Sequence, residues 1–269
     1  MHRILLVIVG LLLAASAAQA DPITIPLADG TQLKAEYWKP VGPVVAPAIV
    51  ALHGCAGPYG TRDRQWREIL VGAGHIMLFP NSFSSRGLGP QCRVAVRKVN
   101  SDDIRRSDAI ASAEWLVQQA DTPAGGVALL GWSDGGSTVM ATANAADDIP
   151  AGLFRGFVAF YPGCYVAAKN KQWKPMAPML LMIGLSDDWT PAKTCKSVAD
   201  RFEPSLLDFV GEPGAYHDFD VLGGIRVLDN IPHSQNADKT VHAGTNPEAR
   251  ADAIMRVPKF LANLPAVAP

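Results

Sequence analysis

The residues Gly131-Trp132-Ser133-Asp134-Gly135 set a serine at a point where the pattern of the chain changes. Ahead of them, Gly126-Val127-Ala128-Leu129-Leu130 is a short apolar run bounded by glycines, the signature of a buried strand. Behind them, Gly136 to Ala143 is small and apolar enough for a helix packed against a sheet. A serine on a tight turn between strand and helix stands in strained backbone geometry with its hydroxyl exposed, and the glycines let neighbouring backbone come close. Such a nucleophile elbow is suited to attack on a carbonyl carbon.

A serine hydroxyl is a weak nucleophile until a base takes its proton, so Ser133 needs a histidine that a carboxylate orients. Where the serine sits on such an elbow, the acid and then the histidine follow it in the chain. Gly184-Leu185-Ser186-Asp187-Asp188-Trp189-Thr190-Pro191 and Gly214-Ala215-Tyr216-His217-Asp218-Phe219 each stand just past an apolar run and supply both in that order. Asp187 and Asp188 compete for the acid. The Gly-x-x-Asp spacing with Pro191 four residues later favours Asp187, whereas Asp188 suits a helix N-cap. His217 competes with His53, which ends a strand and suits the shaping of an oxyanion loop, and with His75, which begins a strand on the opposite edge. His233 and His242 fall in a polar segment and read as surface residues.

Acyl transfer also needs donors aimed at the developing oxyanion, normally one N–H after the nucleophile and one from the loop after the first core strand. Here these are the backbone N–H groups of Asp134 and Cys55. Arg86 lies past the strand ending near Pro80, where it either reaches a substrate carboxylate by a bidentate contact or makes a salt bridge. Trp132 and Trp189 flank catalytic positions and either line the acyl pocket or pack in the core. No His/Cys cluster has metal-ligand spacing, and there is no Walker or dinucleotide-binding glycine loop. The chain therefore calls for no cofactor.

The elements that must position these residues are legible as alternating patterns. Ile23 to Tyr37 reads as a hairpin turning at Asp29-Gly30, and Val44 to His53 as a continuous apolar strand entering Gly54-Cys55-Ala56-Gly57. Arg64 to Ala73 is helical and Ile76 to Pro80 a strand. Asp102 to Ala120 is a long helix with Ala109, Ala111, Ala113, Trp115 and Leu116 on its inner face. Phe157 to Tyr161, Met179 to Gly184 and Leu206 to Val210 are further strands, and Pro247 to Leu264 is an amphipathic helix. Strands alternating with helices predict a mostly parallel sheet covered on both faces, with the site at the carboxyl ends of the strands.

Met1-His2-Arg3, the apolar run Ile4 to Leu13 and the Ala18-Gln19-Ala20 end predict a secretory signal peptide over residues 1–20. Residues 21–269 then form one domain, exported to a periplasmic or extracellular compartment with no membrane attachment after cleavage. The net charge of −1 argues against nucleic acid or an anionic membrane surface as partner. Four cysteines in an oxidising compartment permit two disulfides.

Taken together, Leu52-His53-Gly54-Cys55-Ala56-Gly57, Ser82-Phe83-Ser84-Ser85-Arg86-Gly87, Gly131 to Gly136, Tyr161-Pro162-Gly163-Cys164, Asp187 to Pro191 and Tyr216-His217-Asp218-Phe219 resemble the dienelactone hydrolase family of α/β-hydrolases, in its exported, serine-bearing branch. The resemblance implies an α/β-hydrolase fold and a Ser-His-Asp triad. Two departures stand out. The best-known members carry a cysteine nucleophile, and they place a second substrate-binding arginine shortly after the histidine, where this chain reads Asp218-Phe219-Asp220-Val221. In the implied fold the strands before Cys55 and Cys92 are neighbours, as are those before Cys164 and Cys195. This favours Cys55–Cys92 and Cys164–Cys195 among the three possible pairings. The expected function is hydrolysis of a small ester or lactone. A peptidase of the same fold and a silent binding protein on a hydrolase scaffold are the alternatives.

Overall fold

The computed structural model describes residues 20–145 and 148–266; the signal peptide predicted over residues 1–20 lies outside these residues except for Ala20, which opens the first strand. Strands β1 (Ala20–Pro26) and β2 (Gln32–Trp38) form an antiparallel hairpin. Its turn closes where the Thr31 N–H donates to the Asp29 carboxylate at 2.8 Å and Gly30 adopts φ 84°. These strands form one side of an eight-stranded sheet with β3 (Ile49–Leu52), β4 (Met77–Pro80), β5 (Val127–Trp132), β6 (Phe154–Phe160), β7 (Met179–Gly184) and β8 (Leu207–Glu212). The spatial order is β1-β2-β4-β3-β5-β6-β7-β8. From β4 through β8 every pairing is parallel, so the carboxyl ends of β3 to β8 share one edge.

Every residue of β3, β5, β6 and β7 is buried. Since alternate side chains point to opposite faces, such strands must be covered on both sides. The covering helices are α1 (Gly60–Gly72), α2 (Ile104–Val117), α3 (Asp134–Ala143), α4 (Tyr165–Lys169), α5 (Ala192–Ala199) and α6 (Pro247–Ala262). The eight strands and flanking helices make this the α/β-hydrolase fold, as the sequence predicts.

The differences in boundary have local causes. β3 begins at Ile49 rather than Val44 because Pro43 and Pro47 lack the N–H a central strand must donate. α1 begins four residues before the predicted start because the Asp63 carboxylate accepts the Tyr59 N–H at 2.7 Å and caps the first turn. On α2 the buried stripe is Arg105, Asp108, Ala109, Ser112, Ala113 and Leu116. Ala111 and Trp115, expected on it, are only half-buried, and Trp115 packs edge-on against Tyr37 with ring centres 5.3 Å apart. Along α6, Ala249, Ala253, Val257 and Leu261 face the core at helical spacing.

A two-stranded ribbon of β9 (Arg226–Leu228) and β10 (Val241–Ala243) was not foreseen from the polar 222–246 segment. The disulfides are Cys55–Cys92 and Cys164–Cys195, joining loops at the carboxyl edge. Closing loops with separations of 37 and 31 residues, each stabilises the fold by about 3–4 kcal/mol through the unfolded chain.

Candidate active site

The elbow is built at the end of β5. Ser133 has φ 56° and ψ −114°, outside the regions an L-residue ordinarily occupies, at a cost on the order of 1–3 kcal/mol. The glycines make that turn possible. A Cβ on Gly131 would lie 2.4 Å from the Gly135 carbonyl oxygen, and one on Gly135 would lie 2.2 Å from that of Leu52. α3 starts at Asp134, and its dipole favours the carboxylate there. That carboxylate is gripped by Arg97 at 2.5 Å and by the buried Arg105 at 2.5 Å. Arg105 also donates to the His53 carbonyl at 2.6 Å, so one guanidinium ties the elbow to the loop after β3.

His217 follows β8 and Asp187 follows β7. The His217 Nδ1 lies 2.8 Å from Asp187 Oδ2, and its Nε2 lies 2.8 Å from Ser133 Oγ. A carboxylate can only accept, so the ring proton sits on Nδ1 and leaves Nε2 to accept from the serine O–H. Burial of the ring disfavours its charged form, but the Asp187 carboxylate outweighs this and raises the His217 pKa above the ordinary histidine value. Asp187 is itself fixed. Its Oδ1 accepts the N–H groups of Trp189 at 2.9 Å and Thr190 at 2.8 Å, and the Thr190 hydroxyl stands 3.0 Å from Oδ2.

Asp188 points elsewhere. It accepts from the His242 backbone N–H at 2.9 Å, from its ring Nδ1 at 2.7 Å and from Asn236 at 2.8 Å. Burial opposes its charged form, but the bonds from His242 and Asn236 prevail and hold its pKa low. His242, read from sequence as a surface residue, therefore ties the β9–β10 ribbon to the Asp188 loop. The same ribbon supports His217, whose carbonyl accepts the Gly244 N–H at 2.8 Å. His53 and His75 are buried, and burial lowers the pKa of both. Their Nδ1 atoms meet the carbonyls of Gly54 and Pro47, at 2.8 Å each.

Ser133 and His217 open on a cavity of about 250 Å³ whose lining includes Gly54, Cys55, Tyr59, Arg62, Trp189 and Arg226. Among the described residues neither the Cys55 nor the Asp134 N–H is engaged by an acceptor. Trp189 lines the cavity, with its ring centre 4.7 Å from that of His217.

Trp132 and Arg86 do not. Trp132 is fully buried, stacked on Phe160 with its indole N–H donated to Asp220 at 3.1 Å, and the core reading applies. Arg86 spends its guanidinium on Asp108, bidentate at 2.8 Å for each bond, with Asp29 at 3.8 Å. Its contact is a salt bridge because Asp108, fully buried on α2, needs a counter-charge. We expect Arg86→Ala to lower stability by about 3–5 kcal/mol, because it leaves that carboxylate unpaired. KM for acidic and neutral esters should stay in the same ratio; thermal denaturation and paired kinetics check this, and a selective rise for acidic esters would contradict it.

The guanidinium groups that do line the cavity are Arg62, Arg93 and Arg226, opposite Asp218. Arg62 is buried, held by Asp63 through Nε at 3.2 Å and Nη2 at 3.1 Å, and stacked 4.6 Å from the Trp132 ring centre. A signal for it exists in the sequence. Arg62, Trp66 and Leu70 share one helical stripe, so a cation occupies an otherwise apolar face.

No curated protein sequence matches the chain. A family model described as the prolyl oligopeptidase family matches residues 63–169, less than half of the chain; that span includes the elbow and stops before Asp187 and His217. Solved structures align over nearly the whole chain, and the protein is an α/β-hydrolase by fold. Among them is the dienelactone hydrolase-like promiscuous phosphotriesterase P91 from metagenomic libraries, with TM-score 0.68, 17% identity, and 93% of this chain and 99% of that one covered. Another is a dienelactone hydrolase from Anabaena variabilis, with TM-score 0.62, 18% identity and coverages of 92% and 98%. A third is esterase 2 of Thermogutta terrifontis phosphorylated by paraoxon, with TM-score 0.64, 18% identity and coverages of 93% and 96%.

Proposed function

We propose that the protein is an exported serine hydrolase that cleaves a small ester or lactone through an acyl-enzyme intermediate. The observation that carries this reading is the chain Ser133–His217–Asp187, 2.8 Å at each link, opening on the 250 Å³ cavity. In this reading Ser133 Oγ attacks the ester carbonyl while its proton passes to His217 Nε2. The oxyanion is met by the unengaged N–H groups of Cys55 and Asp134. The alcohol leaves with the proton held by His217, and a water molecule activated by the same nitrogen then releases the acid. Asp187 fixes the ring tautomer and stabilises the imidazolium. The cavity volume supports a short acyl group. The two disulfides are compatible with export.

The prolyl oligopeptidase model match favours a second reading, peptide-bond cleavage by the same triad. One panel separates the two: esters of graded acyl length, neutral and carboxylated, a carboxylated lactone, and the matching anilides, with Ser133→Ala as the baseline. Turnover of short esters and little of anilides is expected. Efficient anilide cleavage would favour the peptidase, and no ester turnover above the Ser133→Ala baseline would sink the proposal.

A further inference from the structure

Three residues after His217, a second carboxylate is sealed inside the protein, and the triad does not use it. Asp220 is fully buried, and three neutral side chains converge on it. Trp66 of α1 donates its indole N–H to Oδ2 at 2.6 Å, Trp132 donates to the same oxygen at 3.1 Å, and the Tyr161 hydroxyl donates to Oδ1 at 2.7 Å. Its backbone carbonyl accepts from Gln65 at 2.8 Å. A buried carboxylate is costly, so a site that keeps one with three donors aimed at it has a use for the geometry it imposes.

Two of the donors, Trp132 and Tyr161, belong to different parts of the candidate active site. Trp132 is the residue before Ser133, at the elbow. Tyr161 follows β6, and its carbonyl stands 3.0 Å from the Thr190 hydroxyl, which in turn stands 3.0 Å from Asp187 Oδ2. Its ring packs 4.5 Å from the centre of the His217 ring, and its backbone sits at φ 36°, a left-handed conformation that a tyrosine adopts only when held. Asp220 is on the His217 loop. Resting on the triad reading above, we propose that Asp220 is a positioning residue that locks the elbow, the acid loop and the histidine loop into one register, acting through Trp132 and Tyr161.

The electrostatics agree with this geometry. Burial pushes the Asp220 carboxyl above its usual range, and Arg62 together with the bonds from Tyr161 and Trp66 opposes that rise. Burial, with Asp220 and Asp218 nearby, raises the Tyr161 pKa well above its ordinary value, which keeps the hydroxyl protonated as a donor.

The test uses Asp220→Asn, Tyr161→Phe and the double variant, all in the mature protein. Asn keeps the volume but offers one acceptor oxygen and turns an N–H₂ toward at least one converging donor. With a short-chain p-nitrophenyl ester, Asp220→Asn is expected to lower kcat by about 10²-fold and leave KM within about threefold, the pattern of misplaced catalytic groups. Tyr161→Phe removes one bond and should cost about 10-fold. The double variant should be no worse than Asp220→Asn, because both act along one path.

The far-downfield proton resonance of the His217 Nδ1–H supplies a readout independent of any substrate. It should be present in wild type and Ser133→Ala and displaced or broadened in Asp220→Asn and in Tyr161→Phe. If no ester is turned over, the proposed function fails and this resonance alone decides the role of Asp220. Where Asp220→Asn does not fold, Tyr161→Phe decides it. An unchanged resonance, kcat within twofold of wild type, or losses that simply add in the double variant would each reduce Asp220 to a packing residue.

Discussion

A Ser133→Ala variant is expected to take no covalent label from a fluorophosphonate probe that labels the wild-type protein once, and to lose on the order of 10⁴-fold or more in kcat. The change removes one oxygen atom. Ser133 keeps its place through its backbone: its N–H donates to the Phe160 carbonyl at 2.9 Å, and its own carbonyl accepts from Ser137 N–H at 2.8 Å. Gly131 and Gly135 still allow the tight turn, so the fold should stay and the hydroxyl alone be lost. Residual turnover would come from the cavity and the two oxyanion donors. Intact-mass measurement after exposure to the probe, alongside kinetics on a short ester, checks the expectation. Equal labelling of the variant would move the nucleophile to another residue and sink the triad assignment.

The architecture was open to reading because its signals are local and strong. β7 spans Met179–Gly184, as the sequence predicts, because five buried apolar residues end in a glycine, where any Cβ would collide with the Ala215 carbonyl ahead of His217. The site loops were legible for the same reason, since each follows a short run rich in apolar residues. The β9–β10 ribbon was not. Its strands are three residues long, too short for a period-two pattern to emerge from a polar segment, and they are held by bonds to Asp188 and His217, which lie far off in the sequence.

Buried charges were the other blind spot. Asp220 is three residues from His217 and reads as a loop carboxylate until Trp66, Trp132 and Tyr161 are seen to meet on it from three separate elements. Arg86 and Trp132 each admitted two readings at sequence level, and only the partner decides between them. Asp108, 22 residues away, claims Arg86, and Asp220, 88 residues away, claims Trp132.

Which of two adjacent carboxylates serves the histidine is a question of the same kind, and it leads to the second large effect. Asp187→Asn should lower kcat on the order of 10⁴-fold, because an amide in place of Oδ2 can donate to Nδ1 and hold the imidazole in the wrong tautomer. His217→Ala should lose on the order of 10³-fold or more. Asp188→Asn should stay within about tenfold of wild type, since it loosens the ribbon contact with His242 and leaves the 2.8 Å link from His217 to Asp187 in place.

The pH dependence follows from the sign of the His217 shift. The base must be neutral to accept the serine proton, and Asp187 raises its pKa, so kcat/KM should rise with pH through a midpoint above about 6.5. Stability runs the other way. A histidine whose folded pKa is raised stabilises the protein fully below its unfolded value near ~6.5, and that contribution fades as pH rises through the higher folded value. Asp187→Asn should therefore move the activity midpoint to lower pH and flatten the fall of stability across that window. If Asp188→Asn is the crippled variant and Asp187→Asn keeps both its rate and its midpoint, the acid of the triad has been assigned to the wrong aspartate.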